Sequence, residues 1–395
     1  MKILLTSYYY KPHFGGIENS LFYLAQTYKQ QGHEVLIVAS DSGPADSRLP
    51  AEEVIDNIKV KRFRSYNPKI SALKILKFYN EVKACASFFK QLNFLPDVVV
   101  TRNHITGYAA VKAGFKNIVY IIPGVVKIQD RGFAGIKSSS YFVKKLKDIV
   151  VSYVFMKYLE GIQVELLNAC KKIIVFSKNM GEQVLSVAPA SKDKIVIAQP
   201  GIDTNYFANL PGKDEARRQI GIDKDKFVYL ILSRLVRQKA IDIAIRAFKA
   251  IDHTNAILLI VGDGPEGSTL KQLAADLELT DKVLFMGKTL TPNIFYTLAD
   301  VYLLPSVHET FGQTIIEALF AGKPVVAFDS NQPGIKTASS EIIDSGSGIL
   351  TQYNIEAYAA AMAEIRSNYA AYQINKQVVA DTYSWNKLAE AVING

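Results

Sequence analysis

Two carboxylates and two cations, drawn from separate stretches of the chain, are the residues best suited to chemistry. Glu309 and Glu317 lie in residues 308–329, HETFGQTIIEALFAGKPVVAFD, and Arg234 and Lys239 lie in residues 233–239, SRLVRQK. A carboxylate accepts two hydrogen bonds from adjacent hydroxyls in a fork. One glutamate can therefore hold a ribose diol and the other a hexose diol, while the N–H groups of Phe311 and Gly312 take what lies between. Arg234 can fork onto a phosphate and Lys239 can act as a point charge on the next one, balancing a departing diphosphate. These residue types together read as a grip on a sugar nucleotide. Taken singly, each is more simply a solvated or capping charge; only the combination points to a site.

Local signals say how these groups are carried. Phe311-Gly312 breaks the chain, and Ile315, Ile316, Leu319 and Phe320 form an apolar stripe at helical spacing. Gly322 suits the position just past a helix, and Pro324 forbids its continuation. This predicts a short helix over about 313–321, followed by a buried strand at 325–328 ending in an acid. Glu309 falls in the loop before that helix and Glu317 in its early turns, so both are expected beside unpaired backbone N–H groups carrying partial positive charge. The 233–239 loop follows an apolar strand at 227–232 and precedes a helix at 241–251, which sets its cations at the carboxyl rim of a sheet.

The same alternation runs through the chain. Strands are expected at 2–6, 34–39, 97–100, 117–122 and 171–176 in the first half, with helices after Gly15-Gly16 and within 71–93 and 138–168, the last capped by Ser138 to Ser140. In the second half they are expected at 257–261, 283–286 and 301–304, with helices at 268–277 and 354–368. Strand–helix alternation of this kind predicts an α/β fold: two Rossmann-like, doubly wound, parallel-sheet domains facing across a cleft. The turn-rich stretches 200–203 and 210–214 mark the boundary. The expected limits are 1–199, 200–376, and a segment 377–395 whose helix crosses back to the first domain. Trp385, the single tryptophan, reads as a packing residue.

Composition narrows the class. With 395 residues, 49% hydrophobic and 21% charged, the chain is globular and long enough for two cores. Cys85 and Cys170 are far apart and far from any histidine cluster, which argues for a reducing compartment and against disulfides or structural zinc. Residues 1–7 run straight into a strand, so no leader is expected. The longest apolar runs fall short of the ~20 residues that a spanning helix needs. The formal charge of +9 is uneven: residues 51–150 hold 18 basic against 7 acidic side chains. Such a surplus suits an anionic membrane surface or a phosphorylated acceptor. Nucleic acid is excluded as a partner because no readout motif accompanies the charge.

Three patterns imitate other chemistry. Gly262-Asp263-Gly264-Pro265-Glu266-Gly267 matches a dinucleotide glycine pattern, but the strand about 20 residues on brings no acid for a ribose. Gly287-Lys288-Thr289 resembles the end of a P-loop, with Lys282 in the place of its first glycine. Asp223-Lys224-Asp225 is more simply a turn than a metal-binding pair. Neither a Ser-His-Asp arrangement nor a metal-ligand cluster stands out among the five histidines.

In combination the residues resemble the retaining glycosyltransferases of the GT-B class usually called family 4, over nearly the whole chain. The resemblance rests on Gly15-Gly16-Ile17-Glu18, Gly32-His33-Glu34-Val35, Pro200-Gly201-Ile202-Asp203, Ser233-Arg234 through Lys239, Val261 to Pro265, and above all Glu309 with Phe311-Gly312 and Glu317. It implies that Gly16 approaches the donor phosphates or acceptor, and that Arg234 and Lys239, on the loop opened by Ser233, hold the diphosphate. Glu309 and the amides at Phe311 and Gly312 would take the donor sugar, Gln313 and Thr314 would also be donor-binding, and Glu317 would take the ribose and the loop from Gly287 to Leu290 the base. Arg234, Lys239 and Glu309 are the expected catalytic set. The implied enzyme passes a hexose-type sugar from a nucleotide diphosphate-sugar to a glycan or lipid-linked hydroxyl, with neither metal nor cofactor. Its expected setting is bacterial cell-surface polysaccharide or glycolipid assembly, in the cytoplasm, peripheral on the inner membrane face through residues 51–150. A non-catalytic sugar-nucleotide-binding subunit and an epimerase or hydrolase of the same fold are the alternatives. The sequence departs from the family at Pro123, where a histidine commonly contacts the sugar, at Ala240, where glycine is usual, and at Pro200, where asparagine is frequent.

Overall fold

The computed structural model describes residues 1–13, 15–66, 77–129 and 142–394. Two compact units emerge, Met1–Pro200 with Trp385–Gly395, and Gly201–Ser384. The first unit carries strands β1 (Lys2–Thr6), β2 (Glu34–Ser40), β3 (Glu52–Ile55), β4 (Ile58–Phe63), β5 (Val98–Thr101), β6 (Ile118–Ile121), β7 (Lys172–Val175) and β8 (Ile195–Ile197). Its helices are α1 (Gly16–Gln30), α2 (Lys77–Gln91), α3 (His104–Ala113), α4 (Val126–Gln129), α5 (Phe142–Ala169) and α6 (Lys178–Leu185). The expected caps Ser138 to Ser140 lie outside the described residues. The strands form one sheet in the order β3-β4-β2-β1-β5-β6-β7-β8, parallel except for the β3–β4 hairpin.

The second unit carries α7 (Lys213–Ile220), β9 (Phe227–Leu232), α8 (Ile241–Ala250), β10 (Ala256–Val261), α9 (Gly267–Asp276), β11 (Val283–Gly287) and α10 (Asn293–Leu298). It continues through β12 (Val301–Leu304), α11 (Gln313–Phe320), β13 (Val325–Phe328), α12 (Ser339–Ile342), β14 (Gly348–Thr351), α13 (Ile355–Ser367) and α14 (Lys376–Thr382). Its six strands are all parallel, in the order β11-β10-β9-β12-β13-β14. Every residue of β10, β12 and β13 is buried, as expected of parallel strands covered on both faces, and this is why they read as unbroken apolar runs.

The final helix, α15 (Trp385–Ile393), belongs to the first unit. It lies on α1, where the Tyr28 hydroxyl donates to Ala389 O at 3.1 Å and the Tyr23 ring stacks on Trp385 at 4.9 Å. The Lys172 ammonium donates to Ala391 O, Val392 O and Asn394 O at 2.8, 3.2 and 2.9 Å, satisfying carbonyls that the end of a helix leaves orphaned. The return begins later than the expected 377. Residues 376–384 stay with the second unit because α14 packs on α11, the Phe311 ring meets Tyr383 at 6.1 Å, and Ile202 N donates to Tyr383 O at 2.9 Å.

Candidate active site

In the second unit the strand order reverses between β9 and β12, which are adjacent in the sheet while their successors run to opposite sides. The loops leaving two such strands part at their carboxyl ends and open a crevice, where open α/β sheets bind ligands. Those loops are 233–240 after β9 and 305–312 after β12. Sequence and topology thus bring Arg234, Lys239 and Glu309 to one end of one sheet.

The two loops are joined. Val307 N donates to Gln238 O at 3.0 Å, and the Lys239 ammonium pairs with Glu309 Oε1, the two side chains being only 13% and 16% exposed. Ser306 Oγ donates to the same oxygen at 3.1 Å. Glu309 Oε2 has no partner among the described residues and is the atom free to accept from a hydroxyl. Arg234 is exposed, and its guanidinium makes no hydrogen bond or ion pair with the described residues. Residues 237–239 form one tight turn that ends at Ala240, whose φ of 42° and ψ of 41° are left-handed. That conformation explains why glycine suits this position, and an alanine here is strained by about 1 kcal/mol.

The glycines of the discarded dinucleotide pattern have a structural task. A Cβ on Gly262 would lie 1.9 Å from Ser233 O, and one on Gly264 would lie 2.3 Å from Leu235 O. Leu235 N donates to Asp263 O and Glu266 N to Leu235 O, at 2.9 and 3.0 Å. The 262–266 loop is a buttress packed backbone to backbone beneath the cationic loop. The signal was present in the sequence, but only the register of β9 against β10 gives it meaning.

Glu317 departs from expectation. It is the fifth residue of α11, and its carboxyl turns to Tyr296, whose hydroxyl donates to Oε2 at 2.7 Å, instead of to the free N–H groups of the helix. Part of the side chain stays open, yet the carboxyl is ringed by protein, and this desolvation pushes its pKa up to about 7 despite the tyrosine hydrogen bond. Tyr302, on β12, donates to Leu232 O at 3.2 Å and feels the charge of both Glu309 and Glu317. Tyr296, Tyr302 and Ser306 were missed in the sequence; a hydroxyl arriving from another element leaves no local spacing to read.

The remaining expected residues divide. Gly312 starts α11 with φ of 96°, and its missing Cβ leaves room for Ile315 Cδ1 at 2.9 Å. Phe311 is buried. The Gln313 side-chain amide donates to Gly201 O at 3.0 Å, tying the 200–203 turn to α11. Gly287 is the last residue of β11, the edge strand of the sheet, and the 83% exposed Leu290 lies in the loop beyond it. Gly16 belongs to the first unit, where it opens α1 and a Cβ on it would meet nothing within 4 Å. Gly15, by contrast, makes room for Glu18, whose Oε2 lies 2.6 Å from where a Cβ would be. Among the described residues no group of three or more His, Cys, Asp or Glu could hold a metal ion.

Two family models account for almost all of the chain: Glycosyltransferase Family 4 over residues 14–206 and Glycosyl transferases group 1 over residues 212–392. The chain belongs to the family 4, group 1 glycosyltransferases. An uncharacterized glycosyltransferase of Methanocaldococcus jannaschii is 28% identical over 411 residues, spanning 100% of this chain and 97% of its own. A D-inositol 3-phosphate glycosyltransferase of Mycobacteroides abscessus is 30% identical over 58% of this chain and 52% of its own, so the match spans about half of that relative. Among solved structures, sucrose-phosphate synthase from Thermosynechococcus elongatus superposes with a TM-score of 0.77 at 19% identity, covering 99% of this glycosyltransferase and 96% of that chain. Anabaena HepE, solved with UDP and glucose, gives 0.71 at 18% over 99% and 98%. These likenesses fix the GT-B fold of two Rossmann-like α/β domains. No helix among the described residues is long and apolar enough to cross a membrane.

Proposed function

We propose that this glycosyltransferase moves a hexose-type sugar from a nucleotide diphosphate-sugar to a hydroxyl of a glycan or lipid-linked acceptor, with retention of anomeric configuration and without a metal. The observation that carries the reading is the Lys239–Glu309 pair at the strand-order reversal of the second sheet, with Glu309 Oε2 and the Arg234 guanidinium, on the same loop as Lys239, both unpartnered among the described residues. The bond from the anomeric carbon to the diphosphate oxygen breaks as positive charge grows on the sugar. Arg234 and Lys239 stabilise the negative charge left on the diphosphate, where fixed charges in a partly desolvated crevice act strongly. The acceptor oxygen bonds to the anomeric carbon on the face just vacated, and its proton passes to the departing diphosphate. Glu309 orients the sugar through Oε2, and Glu317 accepts from the ribose once ionised.

A thermal-shift screen of UDP-, GDP-, ADP- and dTDP-sugars tests the donor half: one class is expected to raise the unfolding temperature, and Lys239→Ala to abolish the rise. No rise with any of them would sink the reading. Turnover undiminished by a chelator is the expected result for a metal-free reaction, and loss of turnover would refute it. The basic surplus of residues 51–150 supports peripheral docking on an anionic membrane, the expected setting being the inner face. Several of its cations are already engaged, Lys59 and Lys61 with Glu52, Arg62 with Glu53 and Lys112 with Glu165. Sedimentation with vesicles should therefore show a modest, salt-sensitive preference for anionic lipid; equal binding to neutral vesicles would remove this part.

A further inference from the structure

The first sheet has its own reversal of strand order, between β1 and β5, so the loops after these strands open a crevice within that unit. Arg102, the residue immediately after β5, stands there only 4% exposed. Its Nη1 donates to Ile121 O, at the end of β6, at 3.3 Å, and its guanidinium carbon lies 4.9 Å from the centre of the Phe176 ring, just past β7. Both contacts set the charged head over the carboxyl ends of the strands, not in the core below. Nε is buried with no acceptor, and no carboxylate among the described residues lies within ion-pair distance of the guanidinium. Glu18 is near enough to act on Arg102 electrostatically, but its carboxylate folds back over Gly15. Burial draws the pKa of Arg102 down only to about 10, so it is charged at neutral pH.

A buried cation without a counter-ion is costly to keep unless an anion arrives to match it. Guanidinium presents a planar fork suited to phosphate oxygens. The donor diphosphate is already provided for in the second unit by Arg234 and Lys239, so the anion fitting Arg102 belongs to the other substrate. We propose that Arg102 is a specificity residue that receives a phosphoryl group carried by the acceptor. This inference rests on the sugar-transfer reading.

The test follows the arginine Nε–H signal of Arg102 by NMR in the full chain, identified by its absence from Arg102→Lys, as inorganic phosphate is added. The signal should move saturably, and equally in Lys239→Ala. Phosphate binding measured by calorimetric titration, which does not need the arginine signal, should show a half-saturating concentration raised ~10-fold or more in Arg102→Met; that variant should bind the nucleotide-sugar unchanged and unfold at the same temperature or higher, since an unmatched charge has been removed. A signal unmoved at tens of millimolar phosphate, or one moved only by the nucleotide-sugar, would overturn the proposal. So would a large loss of stability in both Arg102 variants, the mark of a purely structural arginine. If every nucleotide-sugar fails to bind while phosphate still moves Arg102, the sugar-transfer reading falls, the acceptor assignment falls with it, and a bare anion site remains. If nucleotide-sugar binds and phosphate does not, only the Arg102 proposal falls.

Discussion

The two sheets of this glycosyltransferase each reverse strand order once, yet they treat charge at the resulting crevices in opposite ways. In the second unit the buried cation is matched before any ligand arrives: Lys239 holds Glu309, and Glu317 is held by Tyr296. In the first unit Arg102 is more deeply buried, and no carboxylate among the described residues pairs with it. A matched site can be rearranged by exchange, with a phosphate replacing a carboxylate on a lysine. An unmatched site must wait for its anion, and it tolerates loss of the charge better than loss of half a pair.

The largest expected effect tests whether the cationic loop is held from below. Gly262→Ala would drive a Cβ into Ser233 O at a φ of 138°. Thermal unfolding should report a loss of about 3 kcal/mol or more, whereas Gly16→Ala, which faces open space, should leave stability within about 0.5 kcal/mol. Equal losses would erase the distinction between a buttressing glycine and one that leaves room for a ligand.

Next comes the charge comparison itself. Lys239→Met strands Glu309 and should cost about 2 kcal/mol, most of it recovered by adding Glu309→Gln. Arg102→Met should cost nothing measurable. A costly Arg102→Met beside a harmless Lys239→Met, in the same unfolding experiment, would reverse the comparison.

A smaller effect concerns pH. With its pKa at about 7 in the folded chain against an ordinary 4.5, Glu317 binds its proton more tightly folded than unfolded. Its contribution to stability is therefore full below about 4.5, declines as pH rises through the window, and is gone above about 7. Unfolding temperature measured from pH 4 to 8 should fall less steeply in Glu317→Gln than in the wild type; parallel curves would show that the group is not perturbed. The smallest effect is a gain: Ala240→Gly should relieve the left-handed strain and stabilise by up to about 1 kcal/mol, while a loss would mean that the loop prefers alanine.

How far the sequence spoke depends on where each element gets its stability. The parallel strands buried on both faces were legible as uninterrupted apolar runs, as in residues 256–261 and 325–328, whereas the partly buried parallel strands β8 and β14 were not expected. The β3–β4 hairpin was not, because its charged, alternating residues look like loop and its turn at Asp56-Asn57 rests on two positive φ angles. Glu309 and Lys239 could be picked out by residue type, but their contact depends on β9 and β12 being neighbours, a long-range fact. Glu317 was assigned to the helix start from its place in the chain, while its actual partner, Tyr296, comes from another helix. Arg102 stood in the sequence as one basic residue among 18 in its region, and only its burial separates it from the rest.

The central claim is that the crevice between β9 and β12 grips the departing diphosphate. Its most direct test is the turnover of the best nucleotide-sugar by Lys239→Ala and Arg234→Ala, each confirmed folded by its unfolding temperature. The account predicts a fall of order 100-fold or more in the rate of sugar transfer for each variant. Turnover near the wild-type rate in both would contradict it.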